Sequence, residues 1–229
     1  HDVVMTPLNP CYFNLYQGPV DKEPIAWGGY NPLNKVYAFD PVHESMSEEA
    51  ASHVLGGQAN LWTEFITEKE LAMYMTFPRL AALAETVWTP KELQDWADFS
   101  QRLPQLFARY DQAGINYAKS VYLVLANAKM SVEDKTVLLS LTNELAHPDI
   151  RYVLGNKELT SEATKYSEPV EISETTIIKA ALFKNDQAMG EMFVDTIQFH
   201  KAAGKPVDYT TMYSDRYKGK QEAFTLTNA

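Results

Sequence analysis

Val54-Leu55-Gly56-Gly57-Gln58-Ala59-Asn60-Leu61-Trp62 reads as a buried strand whose glycines admit a close approach of other backbone. Thr63-Glu64 follows at once, so an apolar run ends in an aromatic and polar cluster. Asp2-Val3-Val4-Met5-Thr6 has the same form: a short apolar run stopped by Pro7, with Cys11-Tyr12-Phe13-Asn14 just beyond it. The long connection from 17 to 44 carries Trp27, Tyr30, Tyr37 and Phe39 to bury, which predicts an ordered loop. Ser45-Met46-Ser47-Glu48 predicts a capping box and a brief helix to about His53. Thr67-Glu68-Lys69-Glu70 opens a pattern with Leu71, Tyr74, Met75, Leu80, Leu83 and Val87 on one helical face, kinked or restarted at Pro78. Thr89-Pro90-Lys91-Glu92 supplies an N-cap, a proline at N1 and a glutamate at N3. It predicts a helix burying Leu93, Trp96, Leu103, Phe107 and Tyr110 and ending at Gly114, with Trp88 also in the core. Strand, loop and helix, twice over, is the rhythm of a parallel α/β fold.

From about residue 121 the period changes. Residues 122–125, 136–142, 150–154, 175–183 and 192–199 are predicted strands, with Gly155-Asn156 and Asn185-Asp186 as tight-turn pairs and Glu133-Asp134 in a polar turn. About five strands in some 80 residues predict a small antiparallel β-sandwich. No Gly/Ser-rich or Pro-rich linker separates the halves, so they are expected to pack together. The tail from 204 to 229 is polar and without a clear period.

The 229 residues carry 30 acidic and 20 basic side chains, a net charge of −10, which argues against a nucleic-acid partner. Their apolar share, 45%, is enough to bury a core, and no run approaches a membrane span. The single Cys11 excludes an internal disulfide and reads as a structural thiol. No histidine pair has zincin spacing, and G-x-S-x-G, Walker and G-x-G-x-x-G motifs are all absent, so neither a metal nor a cofactor is expected.

The two strand ends remain as the candidate site. In a parallel barrel such ends share one mouth, where ligands bind. Tyr12 and Trp62 offer flat apolar faces with polar edges, and Asn14 and Glu64 can bond hydroxyls, a combination suited to a sugar. Ordinary aromatic packing at a barrel rim is the competing reading of the same residues.

At these positions the sequence closely resembles the glycoside hydrolase family 20 β-N-acetylhexosaminidases. The resemblance runs through Asp2 to Thr6, Cys11 to Asn14, Val36-Tyr37-Ala38-Phe39-Asp40-Pro41, Gly56 to Glu64, Pro78 to Glu85 and Val87-Trp88-Thr89. A looser likeness to the small β-sandwich that follows the barrel in bacterial members continues at Ile150-Arg151-Tyr152, Lys165-Tyr166-Ser167 and Ile177-Ile178-Lys179-Ala180.

The resemblance implies an α/β fold in which residues 1–120 are the C-terminal end of a (β/α)8 TIM barrel, its last two β/α units. Residues 121–203 are then an accessory β-sandwich, and 204–229 a tail or the truncated start of a further module. It implies a retaining exo-acting enzyme that removes terminal N-acetylglucosamine or N-acetylgalactosamine by substrate-assisted catalysis. Tyr12 is then expected to orient the acetamido group, Trp62 to wall the pocket, and Glu64 to accept bonds from distal hydroxyls. Asn14 stands where many members carry an aspartate; without charge assistance its hold on those hydroxyls is weaker by ~1 kcal/mol.

The family's catalytic Asp-Glu pair has no counterpart here, because no Asp-Glu dipeptide occurs in the chain. The expectation is therefore a C-terminal portion, inactive alone, whose partner is the missing N-terminal part of the barrel. Export to the periplasm, surface or medium is expected from the family alone. The alternative is a non-catalytic carbohydrate-binding or structural β-sandwich module. Arg79 and Glu85 are expected to form an internal ion pair or to sit on a helix surface.

Overall fold

Val3–Met5 (β1) and Val54–Gly57 (β2) pair in parallel in the computed structural model, which describes residues 1–131 and 136–199. The turn expected at Glu133-Asp134 and the tail from 204 lie outside the described residues. The chain divides into two units, one of residues 1–122 with 144–147, the other of residues 123–143 and from 148 onward.

In the first unit the pairing is Val3 with Val54, Val4 with Gly56 and Met5 with Gly57. The second strand stops at Gly57, five residues short of Trp62, although the parallel alignment resumes as a single bridge between Tyr12 and Asn60. Gly57 is required: a Cβ there would lie 2.6 Å from Cε1 of the buried Phe39 ring. The close neighbour is thus a ring and not backbone. Neither strand is buried as expected, with Val3 43%, Val4 47% and Leu55 68% exposed. Among the described residues the sheet has only these two strands, and a parallel pair needs cover on both faces to be interior.

A single turn, Leu8–Cys11 (α1), interrupted by extended backbone at Asn9, leads from β1 to Tyr12. The long connection is ordered and contains Leu33–Tyr37 (α2), which buries Leu33, Val36 and Tyr37. Phe39 is buried too, whereas Trp27 and Tyr30 stay exposed.

Glu48–Ser52 (α3) is capped by Ser47, whose Oγ accepts from the Ala50 amide at 3.2 Å, so the cap lies two residues after Ser45. Lys69–Thr76 (α4) starts without a side-chain cap; the expected Thr67 cap is not used. Pro78, which has no amide hydrogen to continue the ladder, separates it from Arg79–Trp88 (α5).

The strongest start signal in the chain opens only a 3-10 turn, Lys91–Leu93, and leaves Leu93 69% exposed. Gln94 turns back to donate to the carbonyls of Thr86 and Thr89, and the Tyr37 hydroxyl accepts from the Asp95 amide. The long helix Trp96–Ala113 (α6) therefore begins where Asp95 accepts from Ala97 and Asp98. Gly114 ends it as expected, at φ 66°. Leu103, Phe107 and Tyr110 are buried on its inner face, but Trp88 is 87% exposed and does not join a core.

The second unit holds two antiparallel sheets. One comprises Leu125–Ser131 (β3), Thr136–Thr142 (β4) and Val170–Ile172 (β7), in the order β3-β4-β7. The other comprises Thr164–Lys165 (β6), Ile150–Leu154 (β5), Thr176–Lys184 (β8) and Gln187–Ile197 (β9), in the order β6-β5-β8-β9. Val137, Leu139 and Leu141 alternate inward on β4, the period-two signature of a half-buried strand.

Asn185 and Asp186 take positive φ, 49° and 61°, and close the β8–β9 hairpin. Gly155, at φ 77°, ends β5 but opens a longer connection, not a tight hairpin. Tyr122 lies in a 3-10 turn before β3, and the short β6 and β7 escaped the sequence pattern because two or three residues show no period.

Candidate functional site

Tyr12 and Asn60 are bridged in parallel beyond β1 and β2, with the Phe13 amide donating to the Asn60 carbonyl and the Asn60 amide to that of Cys11, both at 2.8 Å. This short ladder brings two of the candidate residues together. The Tyr12 and Trp62 rings stand 6.2 Å apart, tilted by 49°. Trp62 is half exposed, so part of its indole is open to solvent.

Asn14 is 5% exposed, and its Oδ1 is buried with no hydrogen-bond partner. A buried acceptor left open costs free energy unless something fills it. Glu64 sits in the turn after Trp62, exposed, and has no hydrogen-bond or ion-pair partner among the described residues. No hydrogen bond or ion pair joins Glu64 to Tyr12 or Asn14, so the arrangement is a ring pair with two uncommitted polar side chains nearby in sequence.

The sequence reading missed two residues that hold this segment. Asn31, fully buried, donates through Nδ2 to the carbonyls of Pro10 at 2.7 Å and Tyr12 at 3.2 Å. Arg79, also fully buried, donates from Nη1 to the carbonyls of Leu15 at 3.0 Å and Asn31 at 3.2 Å, and from Nη2 to those of Phe13 and Met75. Its guanidinium also stands over the Phe13 ring, 4.8 Å from the centroid.

Arg79 is thus neither a surface charge nor paired with Glu85, which instead accepts from Arg102 and the Tyr37 hydroxyl. Burial pushes Arg79 down to about 9, partly offset by Glu23, so it stays cationic at neutral pH. No helical or strand periodicity signals such a residue; an arginine within an otherwise apolar helical stretch was the available clue.

Two carboxylates sit near this cation. Glu23 accepts from the Ser120 and Tyr74 hydroxyls, yet burial still raises it above the usual carboxylate range. Burial pushes Glu144 up to about 7, against the lowering effect of the Asn34 amide it accepts from. Cys11 is buried and its thiol is pushed up to about 11, so it has no thiolate for nucleophilic chemistry at neutral pH.

A cleft of about 380 Å³ lies elsewhere, beside Lys35, Asp40, His43 and Lys91, and none of the candidate residues lines it. Among the described residues no group of three or more His, Cys, Asp or Glu side chains is placed to hold a metal, and no helix is long and apolar enough to cross a membrane.

The family model for the glycosyl hydrolase family 20 catalytic domain matches residues 1–91, and a second, Fn3 associated, matches residues 139–197. A β-hexosaminidase from Porphyromonas gingivalis is 38% identical over 184 residues, 78% of this chain and 23% of the relative. A β-N-acetylhexosaminidase from Cellulomonas fimi is 30% identical over 118 residues, 52% of this chain and 24% of the relative. Among solved structures, a family 20 exo β-N-acetylglucosaminidase from Vibrio harveyi aligns with a TM-score of 0.48 and 36% identity, over 52% of this chain and 19% of that one.

The chain spans about a quarter of the length of the curated relatives it matches. All four candidate residues fall inside the segment matched by the catalytic-domain family. Residues 1–91 are thus similar to the catalytic domain of glycosyl hydrolase family 20, and the relatives that share the likeness are β-hexosaminidases and a β-N-acetylhexosaminidase.

Proposed function

We propose that the chain is the C-terminal portion of a longer, exported, retaining exo-β-N-acetylhexosaminidase. In this reading residues 1–120 are the last two β/α units of a (β/α)8 barrel, 121–203 an accessory β-sandwich and 204–229 a tail or the start of a further module. The observation that carries it is the Tyr12–Trp62 ring pair beyond the ends of two parallel strands, with the open acceptor of Asn14 two residues after Tyr12.

The substrate is a glycan ending in N-acetylglucosamine or N-acetylgalactosamine. Its acetamido oxygen attacks the anomeric carbon as the glycosidic C–O bond breaks and the leaving oxygen takes a proton from the general acid, while the Tyr12 hydroxyl donates to the acetamido oxygen and keeps it in line for attack. Trp62 stacks under the apolar face of the sugar, where a flat ring excludes water without needing to be satisfied by it. Glu64 accepts from the distal hydroxyls, and the Asn14 amide bonds the same groups without charge assistance. The acid and the acetamido-orienting aspartate come from outside these 229 residues, because no Asp-Glu dipeptide, in that order, occurs in them.

A second reading confines function to a non-catalytic β-sandwich; the match of residues 139–197 to a separate family favours considering it. Hydrolysis of a chromogenic N-acetyl-β-glucosaminide separates the two. The 229-residue chain is expected to show no turnover, and the full-length protein to show turnover that Glu64→Ala reduces by raising KM. Turnover by the 229-residue chain itself, abolished by Glu64→Ala, would overturn the mechanism given above. Indifference of the full-length enzyme to Glu64→Ala would favour the second reading.

A further inference from the structure

Six consecutive carbonyls, from Pro10 to Leu15, each accept a hydrogen bond from outside the segment. Asn31 Nδ2 serves Pro10 and Tyr12, the Asn60 amide serves Cys11, the Trp27 amide serves Asn14, and Arg79 serves Phe13 and Leu15. Only the Asn60 bond belongs to a strand-like ladder. Asn31 and Arg79 are themselves joined, through the bond from Arg79 Nη1 to the Asn31 carbonyl. The Asn31 amide in turn donates to the Tyr16 carbonyl at 2.8 Å, extending the grip one residue further.

We propose that Arg79 and Asn31 are positioning residues of the sugar pocket, which act by clamping the backbone of residues 10–16 and so fix where the Tyr12 hydroxyl and the Asn14 amide point. The chemistry suits the task. A guanidinium is a rigid planar fork, so one group reaches carbonyls on both sides of Asn14 at fixed angles. Its buried charge is solvated by carbonyl dipoles, and those dipoles have no alternative donor once water is excluded. Release of the clamp frees the segment to adopt other conformations while leaving α6 and its aromatic contacts intact. A misplacement of about 1 Å at a reacting group is enough to cost on the order of a hundredfold in rate.

The inference rests on the sugar-pocket reading, and its test keeps the two apart. Arg79→Lys retains a cation but cannot span Phe13 and Leu15; Asn31→Leu keeps similar bulk and loses the donor. Arg102→Ala, which breaks the ion pair with Glu85, is the control for a loss of stability elsewhere in the unit.

In the full-length protein, amide hydrogen exchange at Phe13, Trp27 and Asn31 is expected to quicken by at least about tenfold in both clamp variants, with Phe107 and Tyr110 in α6 changed by less than about twofold. For the chromogenic substrate, Arg79→Lys is expected to lower kcat by about 10–100-fold with KM within about threefold. In a Tyr12→Phe background the same substitution is expected to cost less than about threefold, because the clamp acts through Tyr12.

Unchanged exchange in the segment overturns the clamp whatever the activity, and a loss of kcat that multiplies fully with that of Tyr12→Phe overturns the positioning role. Absence of turnover in the unsubstituted protein overturns the sugar-pocket reading instead, and exchange still decides whether the clamp exists.

Discussion

Val3, Val4 and Leu55 in the parallel pair are 43–68% exposed, whereas Val137, Leu139, Ile178 and Leu182 in the antiparallel sheets are at most 2% exposed. The residue types are the same, and the difference is in how each sheet is covered. An antiparallel sheet is complete with one buried face, and alternation along β4 supplies it. A parallel pair is interior only when flanked on both sides, and β1 and β2 have no further strand among the described residues. The first unit places its burial instead in α2, α5, α6 and the loops, and uses the strand ends to present side chains. Stability and the proposed ligand contacts are therefore carried by different regions, and substitutions test that division directly.

The largest effect is expected in the second unit. Leu139→Ala removes a side chain that is 1% exposed and leaves a cavity, costing about 4 kcal/mol, read as a lower urea midpoint in strand circular dichroism.

The next largest contrast is with pH. Burial raises Glu144 in the first unit from 4.5 to about 7, with Glu23 adding to the rise and Arg79 opposing it. Its folded pKa lies above its unfolded one, so its contribution is full below about 4.5 and is lost as pH rises through 7, by up to about 3 kcal/mol. Asp149 in the second unit is lowered by Arg151, so its contribution has the opposite sign: present above the usual carboxylate pKa and lost as pH falls. Trp27, Trp62, Trp88 and Trp96 all lie in the first unit, so tryptophan fluorescence isolates it. Its urea midpoint is expected to fall between pH 5 and 8, and Glu144→Gln to flatten that fall.

Gly57→Ala sharpens the comparison within the parallel pair. The added methyl meets the buried Phe39 ring and is expected to cost about 2 kcal/mol by the fluorescence midpoint. Leu55→Ala, on the same strand but 68% exposed, is expected to stay within about 0.5 kcal/mol; a loss as large as that of Leu139→Ala would mean that β2 is covered in solution.

The sequence was legible where a local rule had no competitor. Gly114 ends α6 because only a residue free of Cβ takes φ 66° cheaply, and Asn185-Asp186 closes a hairpin for a related reason. The ends of β5 were read to the residue, since the strand formers Ile150, Tyr152, Val153 and Leu154 are bounded by the turn residues Pro148-Asp149 and Gly155-Asn156.

Legibility failed where distant groups decided. Thr89-Pro90-Lys91-Glu92 is a sound helix start on local grounds, but Gln94 and the Tyr37 hydroxyl hold the chain in a turn until Asp95 takes over as the cap. Trp88 has helical spacing and still faces outward, because spacing fixes a face and not what covers it. At the site, Tyr12, Asn14, Trp62 and Glu64 could be chosen by residue type at strand ends. Asn31 and Arg79 could not, since their partners are carbonyls, which every residue has.

That anonymity has a consequence for how the pocket can change. The grip on residues 10–16 uses main-chain acceptors throughout and none of the side chains of Tyr12 or Asn14. The grip therefore does not depend on which side chains stand at those two positions, although an aspartate at 14, a position 5% exposed, would bury a charge and need a partner of its own. A segment held in this way can exchange the side chains it presents one at a time without losing the main-chain bonds beneath it.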